Sequence, residues 1–175
     1  MQDFFETHSY LTQIFGFSAM AVGIIMYQFK KHRTIMVLMT LCSDLWCLHY
    51  TSMWLFTPVA MNFLNVARSY VCSLNKEWVH SKAVPIVFIA VSLVLTIVTW
   101  QGVWGILPFI ASIFATIGGW QKNPQILRIM TIPVCLCWVT FNLINRSWAG
   151  MTNDSLSLIS LIVALTRYKA AQKRN

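Results

Sequence analysis

Charged side chains are scarce in this chain. Asp, Glu, Lys and Arg make up 10% of its 175 residues, whereas they make up about a quarter of an ordinary soluble domain. Hydrophobic residues reach 57% and the mean hydropathy is +0.62. A water-soluble core of this size could not bury so much apolar surface, so we expect the excess to face lipid. The composition predicts an integral membrane protein.

The chain also lacks the signatures of catalysis and of metal binding. It has no pair of neighbouring acids, no nucleophile motif, no His/Cys cluster and no phosphate-binding glycine loop with its lysine. Its five cysteines fall inside apolar runs without metal-ligand spacing, which favours small buried apolar residues over ligands or disulfides. They are Cys42, Cys47, Cys72, Cys135 and Cys137. We expect no enzyme activity, no cofactor and no metal.

Two further features are missing, a cleavable signal peptide and a linker between soluble domains. The N-terminus has no basic segment, and the first apolar run ends in Lys30 and Lys31 where a signal peptide would have small residues. We therefore expect the first helix to be retained. The absence of a low-complexity segment or long linker predicts a single integral membrane domain over residues 1–175.

Seven apolar runs remain when the sequence is cut at its polar clusters. A bilayer core about 30 Å thick needs roughly 20 helical residues, or fewer when flanking side chains reach the interface. The runs are Leu11–Tyr27, Thr34–Met53, Pro58–Ser73, Val84–Trp100, Val103–Trp120, Gln125–Ile144 and Ser155–Tyr168. The fold class predicted is all-α, a polytopic bundle of seven transmembrane helices.

The distribution of basic residues supports seven spans. With seven, twelve of the thirteen Lys and Arg residues lie on one side and Arg146 alone lies on the other. Basic loops face the cytoplasm, so the N-terminus should be outside and the C-terminus in the cytoplasm of a cell inner membrane. The same cuts put Asp154 at the end of an outer loop over 145–154. Because the basic clusters mark topology, the net charge of +8 does not indicate nucleic acid, and the lipid bilayer is the expected partner.

An internal repeat emerges when the chain is aligned with itself at an offset of 92 residues. Ala19-x-x-x-Gly23 falls on Ala111-x-x-x-Ala115, and Trp46 falls on Trp138. Triplets over 11–73 and 103–168, joined by a linker helix over 84–100, would make a 3+1+3 parallel repeat. Arg68 and Arg167 match only at an offset of 99, with seven extra residues in the 145–154 loop. The alternative is chance similarity, since small-residue pairs are common in membrane helices.

Several short motifs resemble a known family. They are Phe-Ser-Ala-Met-Ala-Val-Gly-Ile over 17–24, Leu48-His49-Tyr50, Asn62-Phe-Leu-Asn65-x-x-Arg68 and Cys137-Trp138-Val139-x-x-Asn142. They are similar to the YgjV-type bacterial inner-membrane proteins over nearly the whole chain, which implies an inner-membrane location. The architecture also resembles the PQ-loop and SWEET group, and Pro124-Gln125 is a literal PQ. Since the first half has Tyr27-Gln28 without a proline, no binding residue is carried over from that group.

Asp44 is the most conspicuous polar residue of the predicted spans. An ionisable group at mid-bilayer costs at least about 2.5 kcal/mol, so we expect Asp44 to face the bundle interior or a wet cavity. It could couple transport to a proton or cation, or it could form a structural pair with Arg68. Trp46 lies about 200° around the helix from Asp44, so we assign it to packing. His49 is interpreted as an interfacial anchor, with a pH-sensitive gate as the alternative.

Amide side chains form polar stripes on other helices. Asn62 and Asn65 share one face of the third helix with Arg68 beside them, and Asn142 lies in the sixth. Such faces could line a pathway for a small polar solute, or hold helices together at roughly 0.6 kcal/mol per hydrogen bond. The hypothesis is a small-solute transporter with its site at Asp44, Asn62, Asn65, Arg68 and Asn142. The alternative is a non-transporting membrane scaffold or assembly partner; a homo-oligomer is compatible with both.

Overall fold

The computed structural model describes residues 2–26, 32–73, 78, 81–121 and 124–172. Within these ranges the chain forms seven α-helices, and a 3-10 turn, Val103–Gly105, precedes the fifth. The helices are α1 (Gln2–Met26), α2 (His32–Ser52), α3 (Phe56–Ser73), α4 (Ala83–Val98), α5 (Ile106–Gly119), α6 (Pro124–Ile144) and α7 (Trp148–Gln172). The predicted all-helical class is therefore confirmed for the described residues. The basic residues Lys30, Lys31, Lys76, Lys122, Lys173 and Arg174 lie outside them.

Helix α7 begins at Trp148, seven residues before the predicted start at Ser155. The predicted loop over 145–154 is therefore wrong, and Asp154 lies within the helix. The prediction began the apolar run after Asn153 and Asp154 because they are polar. Inside the bundle the Asp154 carboxyl accepts hydrogen bonds from Asn153 and from Asn142 of α6, which makes its burial tolerable.

Six of the helices form a closed ring of neighbours. In order around the ring, α1 packs on α2, α2 on α3, α3 on α5, α5 on α6, α6 on α7, and α7 returns to α1. Helix α4 lies outside this ring, against α3 and α5. An exchange of α1–α3 with α5–α7 leaves the order of the ring unchanged, which is what a 3+1+3 arrangement requires.

The turns that precede α3 and α7 are equivalent at the offset of 92. Each has three residues between its helices, and the middle residue has a left-handed backbone, with φ of 58° at Trp54 and 56° at Arg146. The closing bonds also correspond, Leu55 N–H to Tyr50 O at 2.9 Å and Ser147 N–H to Asn142 O at 2.8 Å. The seven-residue insertion inferred from Arg68 and Arg167 is therefore wrong. The offset of 92 continues through the turn.

A glutamine holds each of these turns in the same way. Gln101, just before α5, donates to Trp54 O at 2.6 Å and accepts from Phe56 N–H at 2.7 Å. Gln13 of α1 donates to Arg146 O at 3.5 Å and accepts from Ala149 N–H at 3.2 Å. Both glutamines satisfy a backbone N–H at the start of a helix, which has no partner within the helix.

These contacts determine the direction of the helices. His49, near the end of α2, is hydrogen-bonded to Ser147 in the α6–α7 turn at 2.7 Å, so both turns lie at one end of the bundle, here called the turn end. Gln101 and Gln13 reach the same end from the segment before α5 and from the first half of α1. Helices α1 and α5 therefore run in the same direction, as the parallel repeat requires. Superposition of the two triplets stays a prediction.

The polarity of the surface is the reverse of that of a water-soluble protein. On α4, Ser92 is 0% exposed and Ile97 is 64% exposed. The largest fully buried side chains include His49, Asn142 and Thr57. By length and composition one described helix, over Gln125–Ile144, is suited to cross a membrane, while Tyr10–Ile25, Ala83–Val98 and Val103–Gly119 are apolar but shorter. Apolar side chains outside and polar ones inside are what a lipid environment favours.

Candidate functional site

A central cavity of about 280 Å³ lies between the two triplets. Residues of α2, α3, α5, α6 and α7 line it, so both triplets contribute. Its polar lining consists of Ser43, Tyr50, Asn62, Asn65, Arg68, Ser112, Asn153 and Asp154, together with the indoles of Trp46 and Trp138. Asn62, Asn65 and Arg68 are therefore brought together as the stripe on the third helix predicted.

Arg68 carries the positive charge of this lining and is only 8% exposed. Its guanidinium donates to Ser112 O at 3.3 Å, to Thr116 Oγ1 at 3.0 Å, and to Asn65 Oδ1. These acceptors belong to α5 and α3, so Arg68 joins the two triplets across their contact. These hydrogen bonds orient the guanidinium beside the cavity.

Asp154 is the acidic residue of the lining. Its two carboxylate oxygens accept hydrogen bonds from Asn142 Nδ2 at 2.8 Å and from Asn153 Nδ2 at 3.2 Å. The Asn142 side chain is fully buried and does not itself line the cavity. Its Oδ1 accepts a bond from Tyr50 OH at 3.1 Å. Asn142 thus acts as a positioning residue between Tyr50 and Asp154, which both reach the cavity.

A layer of buried polar residues separates the cavity from the turn end. His49 is 0% exposed, and its ring nitrogens are hydrogen-bonded to Thr12 O and Ser147 Oγ, both at 2.7 Å. Ser52 Oγ is bonded to Thr12 Oγ1 at 2.8 Å and donates to His49 O at 2.7 Å. The interpretation of His49 as an interfacial anchor is wrong, because both ring nitrogens are engaged inside the bundle. The layer joins α1, α2 and the α6–α7 turn.

Two glycines allow the backbones of α1 and α7 to lie close to the buried side chains of His49 and Asn142. A Cβ on Gly16 would lie 2.5 Å from Ala149 Cβ and 2.9 Å from His49 Nδ1. A Cβ on Gly150 would lie 2.6 Å from Asn142 Cγ. Neither position has room for a larger residue without a shift of the helices. The buried His49 and Asn142 side chains thus depend on the bare backbone of α1 and α7.

Asp44 is placed differently from the prediction. Its side chain is exposed and does not line the central cavity, so the expectation that it faces the bundle interior is wrong. Asp44 and Trp46 point in opposite directions, as their spacing along the helix predicts. Trp46 is the one that faces the cavity, where it stacks on Tyr50 with ring centroids 5.8 Å apart. A stack of aromatic rings on that face decides which side of α2 turns inward.

Comparison with known proteins identifies the family. The model of the Imp-YgjV family, described as bacterial inner membrane protein, matches residues 10–172. The chain belongs to this family. No curated protein and no solved structure gives a significant match. The suspected resemblance is therefore confirmed, and with it the location of the family in the bacterial inner membrane.

Asp154 is the acidic cavity residue of this YgjV-family protein that the sequence analysis did not predict. The internal repeat could have identified Asp154, since the offset of 92 pairs Asn62 with Asp154 and Tyr50 with Asn142. Applying the offset of 99 beyond the turn concealed the pair of Asn62 and Asp154. Among the described residues, no three His, Cys, Asp or Glu side chains are grouped as a metal site would require.

Proposed function

We propose that this YgjV-family protein is a transporter for small polar solutes, with the central cavity as its binding site. Seven membrane crossings, a periplasmic N-terminus and a cytoplasmic C-terminus complete the proposal. The charge distribution of the sequence and the alternating helix directions support that topology. This topology assigns the turn end to the periplasm. The proposed function involves no catalytic step.

The observation that carries the proposal is a polar, charged cavity between the two triplets. A scaffold needs polar contacts between helices, but it gains nothing from a space of about 280 Å³ bordered by Arg68 and Asp154. Buried charges in a membrane bundle are expensive and commonly mark solute or ion pathways. The volume corresponds to about nine water molecules at ~30 Å³ each, which suits a small solute.

Alternating access would follow from the ring. The α3–α5 and α7–α1 contacts are the most extensive helix contacts between the two triplets. At the turn end, the α7–α1 contact is closed by the Gly16–Ala149 approach and by the His49 layer. Opening of the α7–α1 contact would give a solute access to the cavity from the turn end. The hydrogen bonds of Arg68 to α5 would hold the α3–α5 contact together.

The native Cys42 provides the test, because it lines the cavity and is half-buried. In a variant with its other four cysteines replaced by serine, we expect a water-soluble thiol reagent to label Cys42 in inverted or right-side-out vesicles. A variant that keeps only Cys135, which is buried and does not line the cavity, is the matched control and should stay unlabelled. Equal protection of both cysteines from both sides would favour the scaffold and contradict the transporter.

A further inference from the structure

The carboxyl group of Asp154 combines access to the central cavity with contacts that depend on its protonation state. It lines the cavity, which at about 280 Å³ has room for water. Its two oxygens accept hydrogen bonds from the amides of Asn142 and Asn153. From this placement we infer that Asp154 binds the proton that couples solute transport to a proton gradient. The inference rests on the proposed function and names the coupling ion of its site.

The contacts of the carboxyl favour a proton over a metal cation. Each oxygen already faces the positive end of an amide N–H, which disfavours a metal ion beside it. A proton needs only one of the roughly four lone-pair positions of a carboxylate. Its binding transfers one proton from hydronium to a carboxylate oxygen, which leaves water and a neutral carboxyl.

The titratable or charged side chains around Asp154 belong to several helices. They are Cys135 of α6, Cys42 and Tyr50 of α2, and Arg68 of α3. Helix α1 meets α7 at Gly16 and Ala149 and runs in the same direction, so its residues 17–24 lie beside Asp154. None of these is titratable. Both described hydrogen bonds of the carboxyl come from neutral amides, so neither fixes the ionised form as firmly as a bonded Lys or Arg would.

Asn142 connects the protonation of Asp154 to the turn end. Its Nδ2 donates to Asp154 at 2.8 Å, and its backbone carbonyl accepts from Ser147 N–H in the α6–α7 turn at 2.8 Å. Its side chain also lies against Gly150 of α7. A hydrogen bond to an ionised carboxylate is roughly twice as strong as one between neutral groups. Proton binding therefore weakens the tie between α6 and α7, and we expect this weakening to favour opening of the α7–α1 contact.

The internal repeat indicates that helix packing does not require an acid at this position. The offset of 92 pairs Asp154 with Asn62 of α3, which also lines the cavity. An uncharged amide therefore occupies the equivalent position of the first triplet. Asp154→Asn should accordingly leave the protein folded while it removes the proton site.

The reactivity of Cys42 provides the test, in the variant that keeps Cys42 as its sole cysteine. An impermeant thiol reagent is added to right-side-out vesicles from about pH 8 to about pH 5. Ionisation of the thiol alters the rates of all variants alike, so each rate is divided by that of Asp154→Asn at the same pH. Asp154→Asn is always neutral at this position and should react like the protonated protein. The ratio should be near one at acidic pH and fall by roughly fivefold at alkaline pH.

Asp44→Asn is the matched control for the loss of an acid. Asp44 is exposed and does not line the cavity, so its replacement should leave the rate of Cys42 labelling unchanged at every pH. A reduced pH dependence in this variant as well would attribute the effect to surface charge and contradict the inference.

A second measurement does not depend on the folding of Asp154→Asn. Amide replacement of the other four acidic residues leaves Asp154 as the sole acidic side chain; they are Asp3, Glu6, Asp44 and Glu77. Infrared difference spectra of this variant in detergent, between alkaline and acidic pH, should show the carbonyl band of a neutral carboxyl gained on acidification. Absence of that band would overturn the inference.

Further outcomes separate this inference from the proposed function. The same pH profile in Asp154→Asn and its parent, or labelling in inverted vesicles alone at every pH, would reject the proton site and leave the transporter intact. An effect of exchanging sodium for choline at constant pH, abolished by Asp154→Asn, would identify a metal cation in place of the proton. Failure of Cys42 to react in either vesicle orientation would reject the transporter itself.

Discussion

Trp54 and Arg146, 92 residues apart, adopt the same left-handed backbone conformation at the middle of equivalent turns. Neither is glycine, and the left-handed region costs an ordinary residue roughly 1–2 kcal/mol. The surrounding hydrogen bonds hold both in place. The shared conformation shows that the equivalence of α2–α3 and α6–α7 extends to individual backbone angles.

Replacement of Arg146 by glycine should stabilise the protein. Arg146 is exposed, and glycine reaches positive φ without a Cβ clash, so the free energy of unfolding should rise by up to about 1 kcal/mol. Arg146→Ala is the control, because it also removes the charge but retains the Cβ. Thermal unfolding in detergent measures both. A similar gain in the alanine variant would attribute the effect to charge instead of backbone strain.

The contacts of Gln13 and Gln101 with the two turns predict that replacement of either glutamine lowers stability by a similar amount. Gln13→Ala and Gln101→Ala each remove one donor and one acceptor from a turn, so each should lower the free energy of unfolding by about 1–2 kcal/mol. Because the two glutamines hold different turns, the double variant should show the sum. The measurement is again thermal unfolding. A loss in only one single variant would show that the turns are not energetically equivalent.

Gly150→Ala should disrupt the contact between α6 and α7. The added Cβ would lie 2.6 Å from Asn142 Cγ, and relief of that overlap should cost about 1–3 kcal/mol. Gly23→Ala is the control, because its Cβ would meet only Cys42 Sγ at 3.5 Å and alanine is the better helix former. If Gly150→Ala is as stable as Gly23→Ala, the close packing of Asn142 is incorrect.

His49→Phe tests the polar layer near the turn end. Phenylalanine retains an aromatic ring but leaves the Ser147 hydroxyl without its imidazole partner, at a cost of about 1–3 kcal/mol. Leu48→Phe introduces the same residue at an adjacent exposed position and should have little effect. Thermal unfolding of both variants makes the comparison. Equal stability would mean that the His49 hydrogen bonds do not contribute.

The proposed topology predicts opposite labelling of two introduced cysteines. In a cysteine-free background, Arg146→Cys should react with an impermeant thiol reagent added to spheroplasts, because the proposal assigns the α6–α7 turn to the periplasm. Lys122→Cys should be protected until the membrane is permeabilised. The reverse pattern would place the N-terminus in the cytoplasm and contradict the proposal.

The helices of this protein were predictable to the extent that their ends coincide with changes in polarity. Helices α3 and α6 end at the predicted residues, Ser73 and Ile144. Helix α7 departs from the pattern because Asn153 and Asp154 are polar but internal. The hydrogen-bond partner of Asp154, Asn142, belongs to α6, and no local rule reveals a contact between helices. The candidate site was therefore only partly predictable.

The orientation of α2 was likewise only partly predictable from the sequence. Helical spacing establishes that Asp44 and Trp46 point in opposite directions, but not which of them points inward. That choice depends on Tyr50, which stacks on Trp46 and packs against Trp138 of α6. A charged residue was expected inside because lipid repels charge, yet aromatic packing with neighbouring helices outweighed that rule.

Composition and charge patterning were sufficient for the membrane location and the helical class, since both depend on how much apolar surface the chain must expose to lipid. The motifs along the chain were sufficient for the family. The cavity that Arg68 and Asp154 both line required the tertiary structure, because the two residues are 86 positions apart in the chain. They line the same cavity because six helices close into a ring, and that closure depends on many contacts between helices.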